Sequence, residues 1–314
     1  MNGKQKKKQQ QQPKKRATTN ARRNIIPTTG QVLPNTNRSM RATNIKRGHY
    51  RYALDAFHPS HCPLPRAVGK YLTIRTTQSF STADPFILLG PQMSADAVGS
   101  TRGYNCWNNA IAFAAPSTAA ALNSATWTRF TTNVPFANSS LGEAVPASYS
   151  VRIANPAAVT AASGIVTIGR CTGSLQCPTA TDVRTVYNLQ AALVSNKPTR
   201  MVTGAELAMK PVQVNAIPTN MSRLANFTSL EEFPDATTQA WKESGTFNGF
   251  APIFVANNMA GTLTYQVCVE WRVRLDPLNP GSSGAVAHDP TSDSVWNEII
   301  RTAEAMGHGV EDVL

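Results

Sequence analysis

Residues 261–275 read GTLTYQVCVEWRVRL, and this stretch decides the fold class. Apolar side chains occupy every second position from Leu263 to Leu275, and small or polar side chains alternate with them from Thr264 to Arg274. Successive side chains of a β-strand point to opposite faces. The unbroken period of two therefore predicts a long strand with one buried face.

Shorter apolar runs, bounded by Pro, Gly and Asn, precede this stretch and predict further strands. They are residues 70–79, 86–89, 149–153, 165–168, 211–217 and 252–256. Residues 110–125 are rich in Ala and predict a brief helix, although Pro116 and many Ser and Thr residues favour a surface connection instead. The composition of the body is typical of a β-sandwich or barrel.

Two stretches have the 3.6-residue apolar spacing of an amphipathic helix. Residues 182–195 predict one helix inserted between two strands. Residues 293–306 follow a break rich in Pro and Gly, and Asp293 or Ser294 is the expected cap. Because Arg301 is the one cation of this second helix against three acids, we expect the helix to dock on protein and not on a membrane.

The N-terminal segment 1–51 holds fourteen of the 30 Lys and Arg residues of the chain and none of its 18 Asp and Glu residues. Residues 52–314 consequently have a net charge of −2, and the basic pI belongs to the N-terminal segment alone. Like charges repel, and the segment has no periodic apolar face to bury. We therefore predict a disordered basic arm.

A mobile polycation is expected to bind a phosphate backbone, because each Lys or Arg that neutralises a phosphate releases a condensed counterion. A nuclear address or a solubilising tail is the alternative, but a nuclear address needs only five to eight residues and this charge is sustained over about fifty. The residues predicted to bind nucleic acid are Lys4, Lys6, Lys7, Lys8, Lys14, Lys15, Arg16, Arg22, Arg23, Arg38, Arg41, Lys46 and Arg47.

Residues 52–69 are predicted to be a proline-stiffened linker. His58, His61 and Cys62 lie within it, but no second Cys/His pair follows at a usable distance, so we predict no metal site there. The five cysteines are odd in number, and a polar, cationic start is unlike a signal peptide. We expect free thiols in a reducing compartment, and no transmembrane segment, since no run of 18 apolar residues occurs.

Catalytic motifs are missing from the sequence. It contains no G-x-S-x-G, H-E-x-x-H, phosphate loop or paired Cys motif, and most of its five histidines fall in predicted linkers. We therefore predict that the protein is not an enzyme.

The cationic arm, followed by a Thr-, Asn- and Pro-rich body of about eight strands, resembles the coat proteins of small icosahedral viruses with a single jelly roll. Residues 266–278, QVCVEWRVRLDPL, with a trailing helix around Trp296, are similar to the last strand and tail of nodavirus-like capsid proteins. This resemblance implies an all-β fold, an eight-stranded antiparallel jelly-roll sandwich with a disordered basic N-terminal arm and a C-terminal amphipathic helix. The corresponding division is arm 1–51, linker 52–69, shell domain 70–278, and C-terminal loop and helix 279–314.

The resemblance also implies a capsid protein that assembles with many copies of itself into an icosahedral shell, the virion, and packages a single-stranded viral genome through its arm. RNA is the preferred cargo, but a flexible polycation reads neither bases nor the 2′-hydroxyl, so DNA stays open, as do host, receptor and triangulation number. Before assembly we expect the protein in the host cytoplasm, with nuclear passage as an alternative. The competing hypothesis is a non-assembling nucleic-acid chaperone or movement protein.

Two further properties occur in some of these coat proteins, and each depends on a few residues that can be located in this sequence. Some cleave themselves at an Asn ahead of a C-terminal peptide, but Asn279 is followed by Pro280, an unpromising successor, so we expect no autoproteolysis. Some bind Ca²⁺ between subunits, and Glu231, Glu232 and Asp235 could supply oxygen ligands. A solvated acidic loop is the simpler interpretation, and no cofactor is predicted.

Overall fold

The computed structural model describes residues 31–32, 53–59, 69–98, 102–114, 127–132, 142–171, 185–196, 199–219, 223–229, 232–233, 249–259, 261–287, 291–307 and 311–312. Its strands are β1 Gln31–Val32, β2 Lys70–Thr82, β3 Phe86–Val98, β4 Arg102–Phe113, β5 Trp127–Thr131, β6 Gly142–Ala154, β7 Ile165–Arg170, β8 Thr199–Thr203, β9 Val212–Asn215, β10 Thr228–Ser229, β11 Glu232–Phe233, β12 Ile253–Asn257, β13 Leu263–Leu275, β14 Val286–Ala287 and β15 Glu311–Asp312. Its α-helices are α1 Val186–Asn196, α2 Gly204–Met209 and α3 Asp293–Gly307, and 3-10 turns cover Arg223–Ala225 and Pro280–Gly284.

The strands form two antiparallel sheets. The first has the order β1-β2-β13-β6-β9-β15, with β10 beside β6 and β14 beside β2, and the second has the order β11-β4-β3-β12-β7-β8, with β5 beside β4. Eight of these strands pair in a nested manner: β2 with β13, β3 with β12, β6 with β9, and β7 with β8. The first thus pairs with the eighth, the second with the seventh, the third with the sixth, and the fourth with the fifth. This pairing is that of a hairpin rolled into a two-sheet sandwich, the jelly roll, and the expected eight-stranded fold is confirmed.

Strand β13 lies in the middle of the first sheet, between β2 and β6. Its apolar positions from Leu263 to Val273 are buried, as the sequence predicts. The opposite face of its middle is buried as well, at Cys268, Glu270 and Arg272. The expectation of a single buried face is therefore wrong for this part of the strand, because segments distant in sequence lie over its polar face.

Trp271 of β13 is fully buried in the core between the sheets. The rings of Trp107 in β4 and Trp271 in β13 meet edge to face, with centroids 5.2 Å apart. The indole nitrogen of Trp271 donates to Thr76 Oγ1 at 2.8 Å, and Tyr149 O–H donates to the carbonyl of Asn109 at 2.7 Å. The polar atoms of Trp271 and Tyr149 are thus satisfied inside the core, as burial of such groups requires.

Helix α1 covers the outer face of the second sheet. Its Val186, Leu189 and Leu193 form a separate buried cluster with residues of β3, β4 and β12, which are Phe86, Leu88, Ile111, Phe113, Phe254 and Ala256. The predicted helix 182–195 is confirmed from residue 186, with residues 182–184 outside the described part, and it is inserted between β7 and β8 as expected.

Several local expectations need correction. Residues 110–113, expected in a helix or connection, end β4, because Ala110 and Ala112 face the core while Ile111 and Phe113 face α1. Residues 114–125 of that prediction lie largely outside the described part. Strand β8 is not predicted by the sequence, because its five residues, TRMVT, are too few for a clear period.

Helix α3 follows the last long strand and docks on the body of the same chain. Trp296 and Ile299 are fully buried in the main hydrophobic core, and Val295 and Ile300 are partly buried against it. The expectation that this helix docks on protein is confirmed. Among the described residues, no helix has both the length and the apolar character that a membrane span needs.

Replacing Ile299 with Ala should lower the free energy of unfolding by about 2–5 kcal/mol, because a fully buried isoleucine leaves a cavity. Its neighbour Ile300 is only partly buried, so Ile300→Ala is the matched control and should cost clearly less. Urea unfolding of both variants measures the difference. Equal costs for the two substitutions would mean that α3 does not dock through Ile299.

Candidate nucleic-acid interface and its anchor on the first sheet

The thirteen predicted nucleic-acid-binding residues, Lys4 to Arg47, lie outside the described residues. The structure describes two points at which the chain around them meets the body. The first is β1, which pairs antiparallel with β2 in the register Gln31 to Arg75 and Val32 to Ile74. The arm is therefore attached to the edge of the first sheet at these two residues, one of several positions at which the structure describes order where the sequence predicts none.

The second attachment point is residues 53–58, which we call the strap. The backbone N–H of Ala56 donates to Ser150 Oγ at 2.8 Å, and the Ser150 hydroxyl donates to the carbonyl of Leu54 at 3.4 Å. The Cys268 thiol donates to the carbonyl of Ala56 at 3.2 Å. Both partners, Ser150 and Cys268, lie opposite each other on β6 and β13. The strap thus crosses the outer face of the first sheet.

The strap is held in shape by its own turn. The Asp55 carboxylate accepts from the N–H of Phe57 at 2.9 Å. The backbone carbonyl of Asp55 accepts from the N–H of His58 at 3.1 Å. This arrangement is typical of Asx turns. The guanidinium of Arg152 lies 4.0 Å from the centroid of the Phe57 ring, within the range of a cation–π contact. The turn therefore aims an aromatic ring at a cation of the sheet.

The prediction of a linker over residues 52–69 is wrong for the strap. Ala53, Leu54 and Ala56 are buried, because these small and apolar side chains fit the outer face of the sheet while the prolines that suggested a linker follow later. The remaining residues of the predicted linker, 60–68, are outside the described part.

A buried charged triad lies on the same outer face. Arg75 Nη2 is 2.6 Å from one carboxylate oxygen of Glu270, and Arg272 Nη1 is 2.7 Å from the other. Arg75 and Glu270 are directly paired across β2 and β13. All three side chains are nearly or fully inaccessible to solvent. A carboxylate that bridges two guanidinium groups satisfies its desolvated oxygens, which is the condition for such a group to be buried.

The outer face of β2, β6 and β13 gathers positive charge. It carries Arg75, Arg152, Arg272 and Arg274 against Glu143 and Glu270. Arg274 is 3.5 Å from Glu143 in a half-exposed ion pair, and its guanidinium lies 3.8 Å from the centroid of the Phe227 ring. These cations are scattered in the sequence, and only the strand register brings them to one face, which is also the face that the strap crosses.

The Cys268 thiol is buried at the contact between the strap and the sheet. Burial raises the pKa of its thiol to about 11, and the hydrogen bond from Thr77 and the charge of Arg75 oppose this only in part. Cys268 and Cys171 are free thiols, as expected. Burial also raises the pKa of Tyr149 and Tyr265 in the core, so these groups are neutral near pH 7.

The remaining candidate sites of the sequence analysis gain no support. The side chains of Glu231, Glu232 and Asp235 lie outside the described residues, as do His61 and Cys62, while His58 closes the turn of the strap. No group of three potential metal ligands occurs among the residues that the structure describes.

Asn279 acts as a cap in the described structure. Its side-chain oxygen accepts from the N–H of Gly281 at 2.9 Å, at the start of the turn Pro280–Gly284. The nearby Asp276 carboxylate accepts from the N–H of Leu278 at 2.8 Å. The Asp276 carboxylate is thus hydrogen-bonded within its own loop.

Neither the triad nor the strap is predicted by the sequence. The charges of Glu270, Arg272 and Arg274 recur at every second residue in the strongest strand, which places them on one face. That pattern identifies a charged face, but the partner that neutralises it, Arg75, is 195 residues away from Glu270.

Comparison with known proteins gives structural likenesses only. No family model matches the chain, and no curated protein does. A 60-mer of the BFDV capsid protein is similar at 11% identity over 68% of this chain and 99% of that chain, with a TM-score of 0.29. The native virion of Kashmir bee virus at acidic pH is similar at 12% identity over 93% and 94%, with a TM-score of 0.28. Mud crab tombus-like virus is similar at 13% identity over 69% and 87%, with a TM-score of 0.27. Because these TM-scores lie well below 0.5, the fold assignment rests on the strand pairing of this chain.

Glu270→Gln should lower the free energy of unfolding by about 3–5 kcal/mol, because it leaves two buried guanidinium groups without a countercharge. Glu143→Gln breaks a half-exposed pair with Arg274 and should cost about 0–1 kcal/mol. Chemical denaturation of the two variants compares the pairs. A small cost at Glu270 would show that the triad is hydrated in solution.

Ser150→Ala removes the acceptor of the Ala56 N–H and should loosen the strap, so that Cys268 reacts with iodoacetamide about tenfold faster at pH 8. Ser148→Ala is the matched control, since Ser148 is buried on the same strand but no described hydrogen bond joins it to the strap. Peptide mapping of the alkylated thiol gives the rate. With the strap in place, as in the Ser148→Ala protein, the rate should rise with pH until about pH 11, the pKa of the buried thiol. Equal rates in the two variants would contradict the strap as the cover of Cys268.

Proposed function

We propose that this protein is a viral capsid protein that assembles with copies of itself into an icosahedral shell and packages a single-stranded genome through its basic arm. The observation that carries the proposal is the attachment of a +14 arm to the edge of one sheet of a jelly-roll body whose own net charge is −2. Jelly rolls also occur in lectins and cupins, so the fold alone does not decide the function. The division of charge between arm and body favours the capsid.

Charge neutralisation explains why the arm needs a polyanion. The body can approach copies of itself without strong repulsion, whereas the arms of neighbouring copies repel one another until an anion binds them. A closed icosahedral shell contains sixty copies or a multiple, so each set of sixty arms neutralises on the order of 840 phosphates. The packaged genome is thereby part of the stability of the particle.

The attachment points support an orientation for the shell. Both β1 and the strap meet the first sheet, and the arginines of that sheet lie on the face that the strap crosses. Placing this face towards the interior brings the arm and the partly exposed Arg152 and Arg274 of this face to the genome together. The second sheet then lies on the outer side, with α1 covering it.

Exposed apolar side chains support association between copies. Met201 on β8 is 70% exposed and Ile165 on β7 is 47% exposed, and the register Ile165 to Thr203 and Thr167 to Met201 places them on one face of neighbouring strands. Water-exposed apolar groups at a sheet edge are characteristic of protein contacts. We assign this edge to contacts between subunits.

The remaining parts of the proposal follow from the chemistry of the arm. Its cations recognise phosphate and not base, so the arm can bind RNA or DNA. We propose RNA as the preferred cargo and leave DNA as the alternative. The protein then functions in the virion, after synthesis in the host cytoplasm. The competing function, a nucleic-acid chaperone or movement protein, uses the same arm but forms no shell.

Electron microscopy of the purified full-length protein tests assembly. We expect closed particles of uniform size whose ultraviolet absorbance shows nucleic acid. A complex that contains nucleic acid but stays small and irregular under all assembly conditions would favour the chaperone or movement protein instead.

Replacing the nine cations between Lys4 and Arg23 with Gln should strip most nucleic acid from the particles and flatten the dependence of binding on salt, because counterion release scales with the number of neutralised phosphates. The matched control changes the six lysines of this set to Arg, which keeps the charge and should keep the nucleic acid. The ratio of absorbance at 260 and 280 nm measures the content. If particles of the Gln variant contained as much nucleic acid as those of the natural protein, the arm would not be the part that packages it.

A further inference from the structure

The outer face of the first sheet changes character on either side of the strap. Towards Glu270 and Arg272 its side chains are buried, but at the other end of β2, β6 and β13 they are partly or fully exposed. The exposed side chains there are small or amidic and carry no charge, and we call them the floor: Ser79, Ser81, Ala154, Thr264 and Gln266. The register places them side by side, since Gln266 is opposite Ser79, and Thr264 is opposite both Ser81 and Ala154.

Arg152 lies beside the floor, two residues from the serine that binds the strap. It is opposite Gln266 on β13 and opposite Gln213 on β9. Its Nε donates to Gln213 Oε1 at 3.0 Å, and Gln213 Nε2 donates in turn to Asn215 Oδ1 at 3.2 Å. These two amides constrain the orientation of the guanidinium group, while the side chain of Arg152 stays partly exposed.

Phe57 of the strap supports this guanidinium group. The Cζ atom of Arg152 lies over the Phe57 ring, 4.0 Å from its centroid, and the ring is itself partly exposed. The hydrogen bond from the Phe57 N–H to the Asp55 carboxylate holds the residue in its turn. We call Phe57 and Arg152 the platform, because together they present a planar cation on an aromatic ring beside the floor.

The partners of Arg152 differ from those of the other arginines on this face. Each of the others forms an ion pair with a glutamate, Arg75 and Arg272 with Glu270, and Arg274 with Glu143. Among the described residues, Arg152 is held instead by a neutral amide and an aromatic ring. Its charge is thus available to an anion, and the N–H fork of a guanidinium group fits a phosphate.

An unpaired nucleotide matches the chemistry of this surface. Its base stacks on aromatic rings and on guanidinium planes. Its phosphate is anionic, and its sugar and base edge carry groups that hydrogen-bond to hydroxyl and amide side chains. A base within a duplex is already stacked and paired, so it offers no open face. The surface is therefore suited to unpaired segments, a distinction that phosphate contacts of the arm do not make.

We propose that the platform and the floor bind unpaired nucleotides of the packaged nucleic acid, with a base stacked on the Arg152 guanidinium group that Phe57 supports. The row from Ser79 through Gln266 and Arg152 to Gln213 crosses four strands and spans about 14 Å, which is wide enough for a nucleotide. This inference rests on the proposed packaging function and adds to it a site on the folded body. Unpaired stretches then contact both the arm and the body, whereas duplex stretches contact the arm without this site.

Binding of strands with and without bases tests the platform, on unassembled full-length protein. The probes are a single-stranded RNA of about ten nucleotides and an abasic strand of the same length and charge, and fluorescence anisotropy gives both Kd values. Arg152→Lys keeps the charge but removes the planar group. We expect it to weaken binding of the RNA about fivefold or more and to leave binding of the abasic strand unchanged.

Arg274→Lys is the matched control for this substitution. Arg274 also lies over an aromatic ring, that of Phe227, but it is paired with Glu143, so both Kd values should stay those of the natural protein. If Arg152→Lys also binds the RNA like the natural protein, or if it weakens binding of both probes equally, the platform does not stack bases and the proposal is overturned. Either result leaves packaging by the arm intact. If the natural protein binds neither probe, the packaging function fails and the platform fails with it.

Photocrosslinking locates the bound bases in the natural protein, so its result does not depend on the folding of a variant. Single-stranded RNA that contains thiouridine should crosslink to the strap or to the strands of the floor, within residues 53–59, 142–154 or 263–275, as identified by peptide mapping. Crosslinks confined to residues 1–51 would place the bound bases on the arm alone and would overturn the proposal.

Discussion

The pairing of β2 with β13 closes the fold, because it joins the first long strand of the body to the last. The two strands are paired over eleven consecutive positions, from Leu263 opposite Thr82 to Val273 opposite Leu72. Closing such a long loop costs conformational entropy before any contact is made, and that cost increases only slowly with loop length. The alternating apolar face of β13, with Trp271 against Trp107, offsets it by burying the centre of the core.

The same pair of strands carries the buried triad of Arg75, Glu270 and Arg272 on its other face. A buried ion pair contributes little net stability compared with apolar residues of the same size, because desolvation consumes most of the Coulomb energy. The triad instead selects one register of the two strands, since a register shifted by one residue would turn each of these charges towards the apolar core. We interpret the triad as a device that fixes the register of β2 on β13, and with it the closure of the sandwich.

The attachment of the basic arm depends on this closed sheet. β1 pairs with β2 beside Arg75, and the strap binds Cys268 on β13 and Ser150 on β6. Neither attachment surface exists until strands from the beginning, middle and end of the body have assembled. The arm therefore acquires a defined exit from the body only in the folded protein, which connects folding to the presentation of the polycation.

The sequence by itself determined the long strand 263–275, the helices near 186–196 and 293–307, and the separation of a cationic arm from a nearly neutral body. These features are local, since a period of two or 3.6 and a run of like charges can be counted along the chain. The jelly-roll order came from a resemblance and was then established by the nested strand pairs. Only the tertiary structure decided that the polar face of β13 is buried, that Arg75 neutralises Glu270, and that residues 53–58 form a strap and not a linker. Periodicity identifies the two faces of a strand, but what covers each face depends on residues that are distant in sequence and meet only when the sheets close.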